Sequence, residues 1–291
     1  MRRIAALGSI FIGLMIVSLP QISTAAPGCP QALVRDIPAR PAAAPAGSAV
    51  MNKVLDLGGT ERDAVLKQQV LSGNVPGFLR DLTPVRFAGT ASDGQEVEVT
   101  ICVAPGYLAV GNDRDFVRVP MGLPAAAEIA DKLGFLLPTT RMVDAIYAQA
   151  KVHLAPRPMP PTRQMTSTRY LLQHNSTVAN QRAPLGVTLA ALTAGDKKDL
   201  VLSTRLRSSP GKVAIYGWQR TNGRPIQPLS TVHGAHYADY SHGIRLVSDT
   251  AFVNGEARPL ADVMQDPRLA GIVSNEGPIA NARGLLASLY R

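Results

Sequence analysis

Four prolines stand close together at Pro156, Pro158, Pro160 and Pro161. A proline has no N–H and fixes φ, so none of them fits inside a helix or a central strand. The chain is therefore expected to divide here, into an N-terminal subdomain, 51–155, and a C-terminal one, 162–291. The same punctuation runs through the rest: 25 Gly and 23 Pro in 291 residues predict many loops and short helices. Apolar residues make up 46% of the chain, enough to exclude a chain disordered throughout.

Helical spacing predicts helices over 60–72, from Pro124 to Leu133, from Thr139 to His153, over 168–182, and in short pieces near 259–273 and 280–290. In the third of these, Met142, Val143, Ile146, Tyr147 and Ala150 form the core face. Phe87 to Val103 reads as a hairpin turning at Asp93-Gly94, with Val97, Val99 and Ile101 alternating. Further strands are expected at Tyr107–Val110, Phe116–Val119, Val213–Gln219 and Ile244–Val247, and a hairpin at Asn254-Gly255. The order is not a regular β-α alternation. It indicates an α+β fold with a mixed or antiparallel sheet and several short helices.

Arg2 and Arg3 precede an uncharged run from Ile4 to Leu19. Pro20 and the small residues Ser23 to Ala26 follow. These are the parts of a signal peptide, here 1–26, and the apolar run is short for a membrane span. The expected mature chain is periplasmic or secreted, with no stable membrane span. Its loss of Arg2 and Arg3 takes two charges from the net +9. Residues 27–50, rich in Pro and Ala, read as a linker or a segment draped over the surface. In an oxidising compartment the two cysteines, Cys29 and Cys102, are expected to form a disulfide. There is no dense Lys/Arg block interleaved with aromatics, so no nucleic-acid partner is expected.

Three of the five histidines, His233, His236 and His242, fall within ten residues, together with Asp239, Ser241, Arg245, Tyr237 and Tyr240. Trp218, the one tryptophan, stands on the preceding strand. Three readings follow. In the first, His242 is a general base, His233 and Asp239 orient it or stabilise charge, and Ser241 is a candidate nucleophile. In the second, His233, His236, Asp239 and His242 hold a divalent metal such as zinc, although Gly234 and Gly243 favour a loop and no established zinc spacing is matched. In the third, the histidines are structural. No cofactor is required by the sequence. Trp218, His236, Tyr237, Tyr240 and Arg245 are candidate substrate-binding residues. Lys197 and Lys198, in the polar turn Gly195–Asp199, are candidates for gripping a carboxylate, although such a charge run is more often a solvated turn.

His233-Gly234 followed by Ser241-His242-Gly243 and Arg245 resembles the L,D-transpeptidase signature. That family cross-links peptidoglycan through a cysteine thioester, and the resemblance implies a cell-wall substrate. Ile244 stands where the nucleophilic cysteine belongs, so this alignment excludes the same thioester mechanism. The sequence reading is an exported hydrolase, or a related transferase, acting on a cell-envelope polymer or peptide. The alternative is a non-catalytic binding protein with an aromatic and histidine-lined groove.

Overall fold

The computed structural model describes residues 28–291. The expected signal peptide, 1–26, lies outside the described residues, and the 27–50 segment is seen from Gly28 onward. The fold is α+β. The hairpin of Thr83–Thr90 and Glu96–Val103 turns at Asp93-Gly94, and its second strand pairs with Val247–Val253. That strand also pairs with Phe135–Leu136 and with the edge strand Glu256–Pro259. A second sheet runs in the order Pro225–Ser230, Ile215–Gln219, Lys198–Leu200, His242–Gly243.

One extended run joins the sheets. His242 and Gly243 pair in the second sheet. Ile244 and Leu246 then accept bonds from the N–H groups of Leu108 and Ala104, at 2.8 and 2.9 Å. From Val247 the chain enters the first sheet. A strand is expected at Ile244–Val247, but these residues form the crossing and the long strand begins where the prediction ends. The subdomains expected on either side of Pro156–Pro161 thus share a sheet, and one apolar core reaches from Val34 to Leu286.

The strand Glu96–Val103 shows why that core closes. Val97, Val99 and Ile101 are buried as alternation requires, with Glu96 and Glu98 outside. From Thr100 onward both faces are covered. Cys102, on the second face, is fully buried and bonded to Cys29 across 73 residues of sequence. Closing a loop of that length contributes about 4 kcal/mol in the chain-entropy model. The segment behind Cys29 is draped over the surface and pinned there. Arg40 donates to Asn74 Oδ1 and the Gly111 carbonyl at 3.0 Å each, and Arg80 to the Ile37 and Pro38 carbonyls at 2.9 and 2.7 Å.

The helices Leu123–Lys132 and Thr140–Gln149 lay apolar faces on the sheets, including Met142, Val143, Ile146 and Tyr147. Each such side chain, when fully buried, contributes roughly 1.5–3 kcal/mol. Thr139 caps the second helix, accepting the Met142 N–H at 3.1 Å. That helix stops at Gln149, short of the expected His153. Val152 and His153 instead pair in parallel with Thr193 and Ala194. Thr168–Arg182 is helical, with Ser167 as its cap. Among the described residues no helix is long and apolar enough to cross a membrane.

Candidate functional site

The segment Gly195–Asp199, expected as a polar turn, is buried. Asp196, Lys197 and Asp199 are 2%, 1% and 2% exposed, and Lys198–Leu200 is a strand between two others. Interior charges persist only where counter-groups meet them. Lys197 Nζ donates to the Tyr240 carbonyl at 2.5 Å and lies 3.0 Å from His174 Nδ1. Asp199 Oδ2 accepts the Tyr107 hydroxyl at 2.8 Å, and Arg118 Nε stands 3.8 Å from Asp196. Burial draws the Lys197 ammonium down to about 7, against Asp196. Burial pushes the Asp199 carboxyl up to about 7, against Arg245 and the Tyr107 hydroxyl. Burial, then Lys197 and Arg118, draw His174 down to about 2, so it accepts from Lys197 as a neutral ring.

Lys198 and His242 are directly opposed across the parallel pair, so their side chains share one face. His242 is fully buried, and among the described residues neither ring nitrogen has a hydrogen-bond partner. Burial lowers its pKa to about 4, with Asp239 opposing. Asp239 is the anchor of this face. Ser241 donates both its hydroxyl and its N–H to Asp239 Oδ1, at 2.5 and 2.7 Å, and the Tyr237 hydroxyl reaches Oδ2 at 3.1 Å. Burial pushes the Asp239 carboxyl up, but His242, the Ser241 donors and Lys198 outweigh it and hold it below its ordinary value. Burial and Asp239 together raise the Tyr237 phenol to about 12. The half-buried Tyr237 ring lies edge-on to His242 at 5.7 Å and stacks on His233 at 4.2 Å.

Two local features place these groups. Gly243 admits Tyr107 so closely that a Cβ would fall 2.5 Å from the ring's Cδ1 and 2.8 Å from Lys197 Cβ. Gly217 and Trp218, in the strand, take positive φ of 106° and 56°. For a tryptophan this left-handed backbone costs roughly 1–2 kcal/mol. It is held because Trp218 N–H donates to the Lys197 carbonyl at 3.1 Å. The indole packs 6.3 Å from Tyr240, and Lys198 Nζ lies 5.4 Å from its centre.

The structure therefore brings together His233, Tyr237, Asp239, Ser241, His242, Lys198 and Trp218. Lys197 points into the interior behind them. Tyr240 is buried beside Trp218, its hydroxyl accepting the Met159 N–H at 2.8 Å. Arg245 is buried elsewhere, donating to the Ala104 and Thr193 carbonyls at 3.0 and 2.8 Å with Tyr107 beneath it. His236 is exposed and turns toward Asp63, beside a separate pocket that holds Lys67 and Glu128. Among the described residues no three His, Cys, Asp or Glu side chains converge as metal ligands.

Tyr107 and Arg118 belong to the charged interior but escape sequence reasoning, because neither lies near the histidines. The available signal was the run Asp196–Asp199 set against the apolar Leu200-Val201-Leu202. Comparison with protein-family models, curated proteins and solved structures finds no match to this chain.

Proposed function

We propose that this chain is an exported hydrolase, or a related transferase, acting on a cell-envelope polymer or its peptides. The observation that carries the reading is His242: a neutral buried imidazole with two unbonded ring nitrogens, set beside an ionised Asp239 and opposite Lys198. A neutral imidazole accepts a proton, and a fixed carboxylate stabilises the imidazolium that results. In this reading water, or an acceptor hydroxyl or amine, attacks an acyl carbon while His242 takes its proton. The C–O or C–N bond to the leaving group then breaks, and His242 returns the proton to that group. Lys198 faces the negative charge that develops on the acyl oxygen. In this reading the half-buried Tyr237, stacked on His233 and edge-on to His242, is the side chain a substrate has to displace.

Export is supported by the Cys29–Cys102 disulfide, since such bonds persist in oxidising compartments. The cell-wall substrate rests on the resemblance of His233-Gly234, Ser241-His242-Gly243 and Arg245 to the transpeptidase signature. A second reading, a binding protein, is favoured by the complete burial of His242 behind Tyr237. Mass spectrometry of soluble products from purified sacculi separates the two. Wild type is expected to release fragments and His242→Ala none, with a chelator arm reporting on metal. No fragments from wild type sinks the hydrolase reading and leaves the binding protein.

A further inference from the structure

Acidic residues are distributed very unevenly along this chain. Between Asp144 and Asp196 there are none, against five Lys or Arg. Between Asp199 and Asp239 there are again none, against five. The two stretches meet at a surface hollow of about 430 Å³, lined by Ala155, Pro156, Pro158, Arg220, Thr221 and Ile226. The floor is apolar. Arg220 lines the hollow; Arg157 stands between the two lining prolines in sequence, and Arg224 closes the turn with Arg220, whose backbone N–H donates to the Arg224 carbonyl at 2.9 Å.

All three arginines are exposed, and none forms an ion pair among the described residues. Among the described residues exposed arginines divide: Arg169 pairs with Asp56, Arg268 with Asp93 and Arg283 with Asp249, whereas Arg86, Arg163, Arg205, Arg207 and Arg258 form no ion pair. What singles out this group is the apolar hollow beside it and the absence of acidic residues from both stretches. One exposed arginine, Arg220, lines this apolar hollow, and two more, Arg157 and Arg224, are sequence neighbours of its lining or bonded to it through the backbone, so the surface is complementary to a ligand that is anionic and partly apolar.

We propose that this hollow docks an acidic peptide, with one apolar side chain on Ala155, Pro156, Pro158 and Ile226 and carboxylates on Arg157, Arg220 and Arg224. The planar guanidinium fork matches a carboxylate in two parallel hydrogen bonds. Single-stranded nucleic acid binds by stacking bases on aromatic faces, and no aromatic residue lines this hollow. A bilayer needs protruding apolar side chains, and the large exposed ones, Leu185 and Val232, lie outside it. The inference rests on surface charge and shape alone, and it holds whether or not His242 turns over a substrate.

The test is fluorescence anisotropy of a dye-labelled peptide of alternating Glu and Leu, titrated with the full chain at low and high salt. Wild type is expected to bind, with affinity falling about tenfold at high salt as screening shortens the reach of the charges. The Arg157→Ser, Arg220→Ser, Arg224→Ser triple variant is expected to bind at least ~10-fold more weakly. Arg258→Ser, which removes one charge from the exposed Glu256–Pro259 strand, is expected to match wild type. The three arginines are exposed and unpaired, so single variants remain readable if the triple variant misfolds. Absence of binding overturns the proposal, and so does equal binding by the triple variant. So does arginine-dependent capture of oligothymidine or phosphatidylglycerol vesicles when the peptide is not held.

Discussion

Ser241 gives its hydroxyl hydrogen to Asp239 Oδ1 at 2.5 Å, and its backbone N–H to the same oxygen at 2.7 Å. The serine therefore braces the carboxylate, while among the described residues neither nitrogen of the adjacent His242 ring has a partner. In the proposed hydrolase or transferase reading, that division of roles leaves the nucleophile to water or to an acceptor hydroxyl or amine. Ser241→Ala removes one donor and leaves the N–H in place, so folding stability should fall by about 1–3 kcal/mol, the range for a hydrogen bond to a charged group. Turnover of envelope fragments should persist within about a hundredfold of wild type, since the loss acts through Asp239 and, even if felt in full at the transition state, about 3 kcal/mol is roughly a hundredfold. Urea denaturation and product release measured on one preparation check both. Turnover that vanishes while the fold stays intact moves the nucleophile back onto Ser241.

His242 sets an acid limb. An unfolded histidine takes up its proton near its ordinary value of 6.5, whereas the folded ring does so only near 4. Between those values the unfolded chain holds more protons, so this residue's contribution to stability is lost as pH falls from 6.5 toward 4. Asp199, raised from 3.8 to about 7, acts in the opposite sense across the whole window and offsets the effect in wild type alone. The difference between wild type and His242→Gln isolates it, and should change by roughly 3 kcal/mol across that window. If His242 is the base, kcat/KM should also hold up well below pH 6.5 and fall only near 4. A limb at 6.5 would mean a solvated histidine and a different base.

Much of the fold was legible because it depends on local rules. The Thr168–Arg182 helix, the Asp93-Gly94 hairpin and the apolar face of Thr140–Gln149 follow from period, cap and turn chemistry that each segment carries within itself. The candidate site was legible in part for a similar reason: Tyr237, Asp239 and Ser241 bond to one another across two residues. What was not legible depends on partners distant in sequence. Lys197 reads as solvated until His174 and the Tyr240 carbonyl are known to surround it. Arg245 reads as a substrate anchor until the Ala104 and Thr193 carbonyls take its hydrogens. His233 and His236 differ by three positions, yet one stacks on Tyr237 and the other faces Asp63, a separation set by the loop path and not by spacing.

Lys197 gives the alkaline counterpart. Its ammonium is drawn from 10.5 to about 7 by burial. Between those values the unfolded lysine binds a proton that the folded one does not, so stability should rise with pH through that interval. Lys197→Met keeps much of the volume and removes the titration. It leaves His174 Nδ1 and the Tyr240 carbonyl without their donor, at about 1–3 kcal/mol near neutrality. Urea midpoints at several pH values from neutral to moderately alkaline should climb for wild type and stay nearly level for Lys197→Met. Parallel curves would place the shifted group elsewhere.

Gly243 is where strand pairing and the charged interior constrain each other. Its backbone pairs with Asp199, while its missing side chain leaves room for the Tyr107 ring that bonds the Asp199 carboxyl. A methyl group at this position meets the ring at 2.5 Å and Lys197 Cβ at 2.8 Å, both on buried groups with little freedom to yield. Gly243→Ala should cost roughly 1–3 kcal/mol, as overpacking does. It should also push Tyr107 off Asp199, leaving a buried carboxyl with its phenolic partner displaced. A Tyr107→Phe background separates the two effects. If the ring displacement matters through the lost hydrogen bond, the two substitutions should be less than additive in a double-mutant cycle. Full additivity would mean that the methyl is accommodated by a shift of the His242–Gly243 strand, which would show instead as a changed His242 titration.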